Sequence, residues 1–209
     1  MGGTVDVVGY DKPFNYSEKC NLGVVQGDEE FIVLLNDDTE IITPSWLEVM
    51  LSYMNEPDVA MVGPMLLLED GRIQSAGHSY LSGFHNVANG VSAREVGPLG
   101  MLTFAREVSG VTGACAMVRR SAYFEVGGMS ESFPVSFNDV DLGFKLLDRG
   151  YRIIWTPLAR LYHFESATRE ATTTPGELEA LGRRWGSRFD RDEYTRVGWS
   201  MDAPARAAS

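Results

Sequence analysis

The strongest constraint in this chain is the stretch FIVLLNDDTE at residues 31–40, where an unbroken apolar run ends abruptly in Asn36, Asp37 and Asp38. A run without polar alternation reads as a strand buried on both faces, and such strands belong in the middle of parallel sheets covered by helices. In open α/β sheets ligands sit beyond the carboxyl ends of the strands, so the carboxylates stand where a ligand would bind. Adjacent aspartates repel one another unless a positive charge lies near, and a divalent cation suits oxygen ligands. A solvated acidic turn that caps the next helix is the alternative, and this stretch alone leaves both open.

With 209 residues, 44% hydrophobic and 22% charged, the chain has the composition of an ordinary globular protein, for which one compact domain is the default. It has no apolar run long enough to span a bilayer and no signal-peptide pattern in residues 1–10, so a cytoplasmic location is expected, with peripheral membrane contact left open. The formal charge of −11 repels phosphate backbones and argues against nucleic acid as a partner. A small anionic ligand would need a cation as bridge. Cys20 and Cys115 lack CxxC spacing, which predicts buried free thiols with no functional part.

In chain order, residues 5–8 read as a short strand and Ser17 as the N-cap of a helix ending near Gly27, which with the 31–35 strand makes a βαβ unit. Thr43 and Pro44 open a helix whose face carries Trp46, Leu47, Met50, Leu51 and Met54, stopped by Pro57. The apolar segment 59–68 is broken by Pro64, and Asp70 with Gly71 turns the chain toward Ile73 as a hairpin at a sheet edge. Residues 77–107 carry glycines, His78 and His85 without periodicity, and read as a long irregular segment, either a binding loop or a plain surface excursion. A strand at 111–118 and a helix at 121–126 follow. In 137–150, Asn138 is the expected N-cap, Asp139 and Asp141 fall in the first turn, and Gly150 ends the helix. Aspartates there also have an ordinary explanation, as partners of the helix dipole. Two short strands, 151–155 and 158–164, come next, the second carrying His163; a helix at 175–185 precedes an Ala-rich end expected to be disordered.

Taken together, KPFNYSEKCNLGV, LNDDTEI, DGRIQSAG, SGVTGACAMVRRSAYFEVGGM, FNDVDLGFKLLDRGYRI and LYHFES resemble, in order and spacing, the family 2 glycosyltransferases, inverting enzymes of the GT-A fold, and among them the bacterial rhamnosyltransferase-like members. The resemblance runs from about residue 12 to residue 166. It implies an α/β, GT-A-like, mostly parallel sheet flanked by helices, with residues 1–166 as the catalytic domain and 167–209 as a helical or irregular tail. It further implies that Asp38 matches the last acid of a DxD-type motif holding Mn²⁺ or Mg²⁺ on the nucleotide diphosphate, with Asn36 and Asp37 beside it. Asp139 then matches the catalytic base, and His163 a histidine that completes the metal site. The implied partners are a nucleotide-sugar donor and a carbohydrate or lipid-linked acceptor, in bacterial cell-surface polysaccharide synthesis.

Two departures stand out. Asn138 replaces the glutamate common before the base, and the chain begins near the family's third strand, so the N-terminal nucleotide-binding portion is expected to be missing. That loss would bare the edge of the 31–35 strand, inviting residues 5–8 or a second copy of the chain to cover it. The chemistry fits the assigned roles: a carboxylate can take the acceptor hydroxyl's proton, and a cation can stabilise the leaving diphosphate. A noncatalytic sugar- or protein-interaction domain on the same fold is the alternative. Nucleotidyl or phosphoryl transfer is weaker, since no GxxxxGK[ST] loop is present.

Overall fold

The computed structural model describes residues 5–81, 83–164 and 173–195. Its first elements are α1 (Tyr16–Val24), β1 (Phe31–Leu35), β2 (Thr39–Ile41), α2 (Trp46–Tyr53), β3 (Val59–Leu67) and β4 (Ile73–Ser75). The long irregular segment holds the short pair β5 (His78–Ser79) and β6 (His85–Asn86), then β7 (Arg106–Glu107). β8 (Cys115–Arg119), α3 (Arg120–Glu125), α4 (Asn138–Asp148), β9 (Arg152–His163) and α5 (Pro175–Trp185) complete the order.

The main sheet runs β1-β8-β3-β9-β2, with β4 added to β3 and β7 to β9. Only β3 and β9 pair in parallel among the described strands; the other pairings in this sheet are antiparallel, so the sheet is mixed and less parallel than expected. β1, β3 and β9 nevertheless point the same way. Their carboxyl ends, and the amino end of β8, therefore meet at one end of the sheet.

Helices cover both faces. On one, Val24 of α1, Tyr123 of α3 and Leu142 and Leu146 of α4 pack with Met61, Met65, Ile153 and Trp155. On the other, Trp46 and Met50 of α2, with Met54 just after it, pack with Val62, Leu66, Ile154 and Leu161. β3 is buried along its whole length, as a strand between two covered faces must be. A third cluster of Tyr80, Phe133, Phe144, Leu181 and Trp185 binds α5 to α4, so the helix expected within a tail is part of the packed body. The Ala-rich end lies outside the described residues.

Several local expectations change. β1 is an edge strand with β8 as its partner, and only Leu34 is buried while Leu35 is 46% exposed. Its unbroken apolar run suggested a central strand because hydrophobicity reports demand for burial and says nothing of neighbours. Residues 5–8 form no strand and do not cover the free edge of β1; Val5 and Val7 are 88% and 91% exposed. Asn15, not Ser17, caps α1, its side chain accepting from Glu18 N at 3.1 Å, while Ser17 is buried and donates to Phe133 O. Asn138 is not a cap either: its amide donates to Val135 O, and Phe137 holds the cap position. β8 starts at Cys115 and not at 111, the intervening residues forming a loop. The two strands expected on either side of Pro157 are one, β9, whose register against β3 slips between Pro64 and Met65. The slip absorbs residues 157–159 as a bulge, which is how proline is tolerated inside a ladder.

Candidate active site

The turn at 36–38 links β1 to β2, and β2 pairs with the last residues of β9, Thr39 opposite His163. This register brings Asp38 Oδ1 to 3.2 Å from His163 Nε2. The other ring nitrogen, Nδ1, lies 2.7 Å from Gln74 Oε1, and Gln74 Nε2 faces the His163 carbonyl at 3.5 Å. An amide oxygen only accepts, so Nδ1 carries the proton. In the neutral ring Nε2 then aims a lone pair at a carboxylate oxygen, an arrangement that calls for a proton or a metal cation between them. Asp38 Oδ1 is buried and makes no hydrogen bond. The separation is close to the roughly 3 Å expected of neighbouring octahedral ligands at about 2.1 Å from one cation. The residues present therefore fit a divalent metal. Among the described residues no third His, Cys, Asp or Glu joins the pair.

Asn36 and Asp37 contribute differently. Asn36 N donates to Ala114 O at 2.9 Å and Thr39 Oγ1 to Asn36 O at 2.8 Å, so the turn is pinned by its backbone. Asp37 is exposed.

Asp139 stands in the first turn of α4, at the same end of the sheet. Its Oδ2 accepts from Gly113 N at 3.0 Å and its Oδ1 from Val140 N at 2.8 Å. Gly113 precedes Ala114, the residue that holds Asn36, so adjacent residues connect the base candidate to the Asp38 turn. Phe137, which opens α4, adopts φ 62°, a left-handed conformation that costs a non-glycine residue about 1 kcal/mol or more. Its ring meets Phe84 edge-on at 6.4 Å, so aromatic packing helps to hold the strained entry two residues before Asp139.

Asp141 has a separate task. It is fully buried, accepts from Trp185 Nε1 at 2.8 Å, and lies 3.1 Å from Arg184 and 3.2 Å from Lys145. A carboxylate enclosed in this way joins α4 to α5 and has no room for an acceptor hydroxyl. Cys115 is buried and its thiol is pushed up to about 12 by burial, which fits an inert core thiol. A cavity of about 240 Å³ lined by Tyr80, Phe144, Arg152, Arg188 and Tyr194 opens beside the start of β9, away from Asp38 and His163.

The sequence alone assigns no role to Gln74, although DGRIQSAG, which contains it, is one of the stretches that carry the resemblance. Its burial, which demands partners for the amide, shows only in the fold. Tyr16, whose hydroxyl donates to Gly113 O at 2.8 Å, likewise lies in one of those stretches, KPFNYSEKCNLGV, and nothing local gives it a role.

The family described as Glycosyltransferase like family 2 matches residues 14–187. An uncharacterized protein, y4gI, of Sinorhizobium fredii is 39% identical over 186 residues, covering 83% of this chain and 20% of its own length. The O-antigen biosynthesis protein RfbC of Myxococcus xanthus is 36% identical over 169 residues, 79% of this chain and 13% of its own. An N-acetylglucosaminyl-diphospho-decaprenol L-rhamnosyltransferase of Mycobacterium tuberculosis is 26% identical over 163 residues, 70% of this chain and 53% of its own. The chain thus spans a small part of the first two relatives and about half of the third. Among solved structures, GalNAc-T7 with UDP, GalNAc and Mn²⁺ superposes with a TM-score of 0.63 at 11% identity, over 84% of this chain and 36% of that one, a likeness of fold. By the extent of the family match and the identity of these relatives, the chain belongs to glycosyltransferase family 2 and has the GT-A fold.

Proposed function

We propose that this chain is the catalytic domain of a metal-dependent inverting glycosyltransferase, which moves a sugar from a nucleoside diphosphate donor to an acceptor hydroxyl. The observation that carries the reading is the meeting of Asp38 Oδ1 and His163 Nε2 at 3.2 Å with no hydrogen bond to the carboxylate oxygen. One carboxylate and one imidazole completed by oxygens can hold Mn²⁺ or Mg²⁺, and the Mn²⁺ present with UDP and GalNAc in the GalNAc-T7 structure, not the ligand pair itself, supports that class. When bound, such a cation supplies Lewis-acid stabilisation to the departing diphosphate. Asp38 and His163 hold it, Gln74 fixes the ring that faces it, and Asn36 and Asp37 flank the donor. Asp139 accepts the proton of the attacking hydroxyl; each of its oxygens takes one backbone N–H and keeps a lone pair for that purpose. A single displacement inverts the anomeric centre and needs no enzyme nucleophile.

The names of the O-antigen protein and the mycobacterial rhamnosyltransferase support cell-surface polysaccharide synthesis with a carbohydrate or lipid-linked acceptor. We place the reaction on the cytoplasmic side of the membrane, at its periphery; among the described residues no helix is long and apolar enough to cross it. The free edge of β1 supports a homodimer paired through that edge.

The test is release of nucleoside diphosphate from a panel of uridine-, guanosine- and thymidine-diphosphate sugars by the full-length protein. Turnover of one member that needs Mn²⁺ or Mg²⁺ and stops with chelator is the expected result. Metal-independent turnover would remove the roles of Asp38 and His163, and pyrophosphate release from a nucleoside triphosphate would point to nucleotidyl transfer.

A further inference from the structure

Gly113 is gripped from both sides. Its N–H donates to Asp139 Oδ2 at 3.0 Å, and its carbonyl accepts from Tyr16 Oη at 2.8 Å. These groups belong to the two peptide planes that flank the Gly113 α-carbon, so the two bonds together fix φ and ψ of the residue type that is otherwise freest to change them. The three residues are in contact: a Cβ added at Gly113 would lie 3.4 Å from Tyr16 Oη and 3.6 Å from Asp139 Cβ.

The rest of the 109–113 loop cannot yield instead. His78 N donates to Gly110 O at 2.8 Å, and a Cβ at Gly110 would come within 2.5 Å of Tyr80 Oη. Below the loop, a Cβ at Gly63 of β3 would meet Val111 at 2.5 Å. The end next to Asp139 is thus the part whose position depends on Tyr16. Burial, followed by the nearby Cys20 and Asp139, pushes the Tyr16 hydroxyl well above its usual range, so it remains a donor at any pH the enzyme meets.

We propose that Tyr16 is a positioning residue for glycosyl transfer: by holding the Gly113 carbonyl it fixes the Gly113 amide that orients the Asp139 carboxylate. The inference rests on the reading of Asp139 as the base. Among the described residues Tyr16 has no hydrogen bond to Asp38 or His163, and Ala114, which joins Gly113 to the Asp38 turn, is held separately by Asn36 N, so the effect of Tyr16 falls first on turnover.

The experiment uses the full-length protein and the nucleotide sugar of the panel above that the wild type hydrolyses with Mn²⁺, water taking the acceptor's place. Asp139→Asn should lower kcat by about 10²- to 10⁴-fold. Tyr16→Phe keeps the ring and removes one hydrogen bond, and should lower kcat about tenfold at unchanged donor KM, with only the small fall in Tm that one lost hydrogen bond brings. Tyr16→Leu also removes the donor and should lower kcat in the same way, which provides a second probe if Tyr16→Phe folds poorly. In the Asp139→Asn background Tyr16→Phe should have no further effect, because nothing is left to orient. Wild-type kcat in Tyr16→Phe beside a disabled Asp139→Asn overturns the positioning role and leaves the base intact. A raised donor KM in place of a lowered kcat, or a full additional loss in the double variant, also overturns it. A fully active Asp139→Asn overturns both.

Discussion

At the scale of single residues, the site depends on which atom of each side chain is already engaged. Gln74 engages His163 Nδ1, and that one hydrogen bond decides that Nε2 faces Asp38 as a lone pair. Gln74→Leu would keep the packing volume and free the ring, and Mn²⁺ affinity should fall about 10- to 100-fold, measured by titration against the spectroscopic signal of free Mn²⁺. Unchanged affinity would mean that the imidazole is oriented by something else. Asp141 illustrates the converse. In sequence it is equivalent to Asp139, two positions on in the same first turn, and so the next candidate for the base. In the fold the helical turn carries it inward to Trp185, Arg184 and Lys145. Burial lowers the Lys145 pKa while Asp141 opposes that shift, as expected of a buried pair that is structural.

At the scale of elements, α5 is secured to the body by its own start. Thr174 and Glu177 form a capping box, and Glu177 Oε1 also accepts from Val135 N at 2.9 Å and Ser136 N at 2.8 Å, just before α4. Burial works against ionisation of Glu177, but the hydrogen bonds from Ser136, Thr174 and Val135 outweigh it and hold the carboxyl below its usual range. A folded pKa lower than the unfolded value gives stability that is complete above about pH 4.5 and is lost as pH falls through the folded value. Thermal denaturation from pH 6 down to pH 3 should therefore show a steeper fall in Tm for the wild type than for Glu177→Gln. Equal slopes would remove Glu177 from the acid response. The variant should also be less stable at pH 7, by about 1–3 kcal/mol, since Val135, Ser136 and Thr174 lose a charged acceptor.

At the scale of the whole molecule, the sheet has a free edge beside its site. β1 pairs with β8 on one side, and no described strand lies on the other, although Leu35 at its end is exposed. Unpaired donors and acceptors along an apolar strand recruit another strand. If this edge is where two copies meet, sedimentation of the chain over a range of concentrations should show a dimer. Substituting Leu35 with Lys should shift it toward monomer, because charge on an edge opposes pairing. A clean monomer at every concentration would show that the edge is protected by other means.

Much of this architecture was written in local pattern. The Asp70-Gly71 hairpin, the Gly150 stop and the span of α5 follow from turn chemistry and proline placement, which act over a few residues. Of the apolar face expected for α2, by contrast, only Trp46, Met50 and Met54 are buried; Leu47 and Leu51 are exposed, and the helix begins at Trp46 after Ser45, not at Pro44. The resemblance also singled out Asp38, Asp139 and His163 as one functional set. What the sequence could not contain was the pairing. Strand neighbours are chosen by contacts between distant segments, so an apolar run at 31–35 looks the same at an edge as at the centre. The same holds for the partners of the site: only the tertiary fold decided that Gln74 would turn His163 toward Asp38, that Asp141 would be sealed by Trp185, and that Tyr16 would reach Gly113 beside Asp139. Each of these joins residues far apart in the chain, where no local propensity acts and only packing fixes the distance.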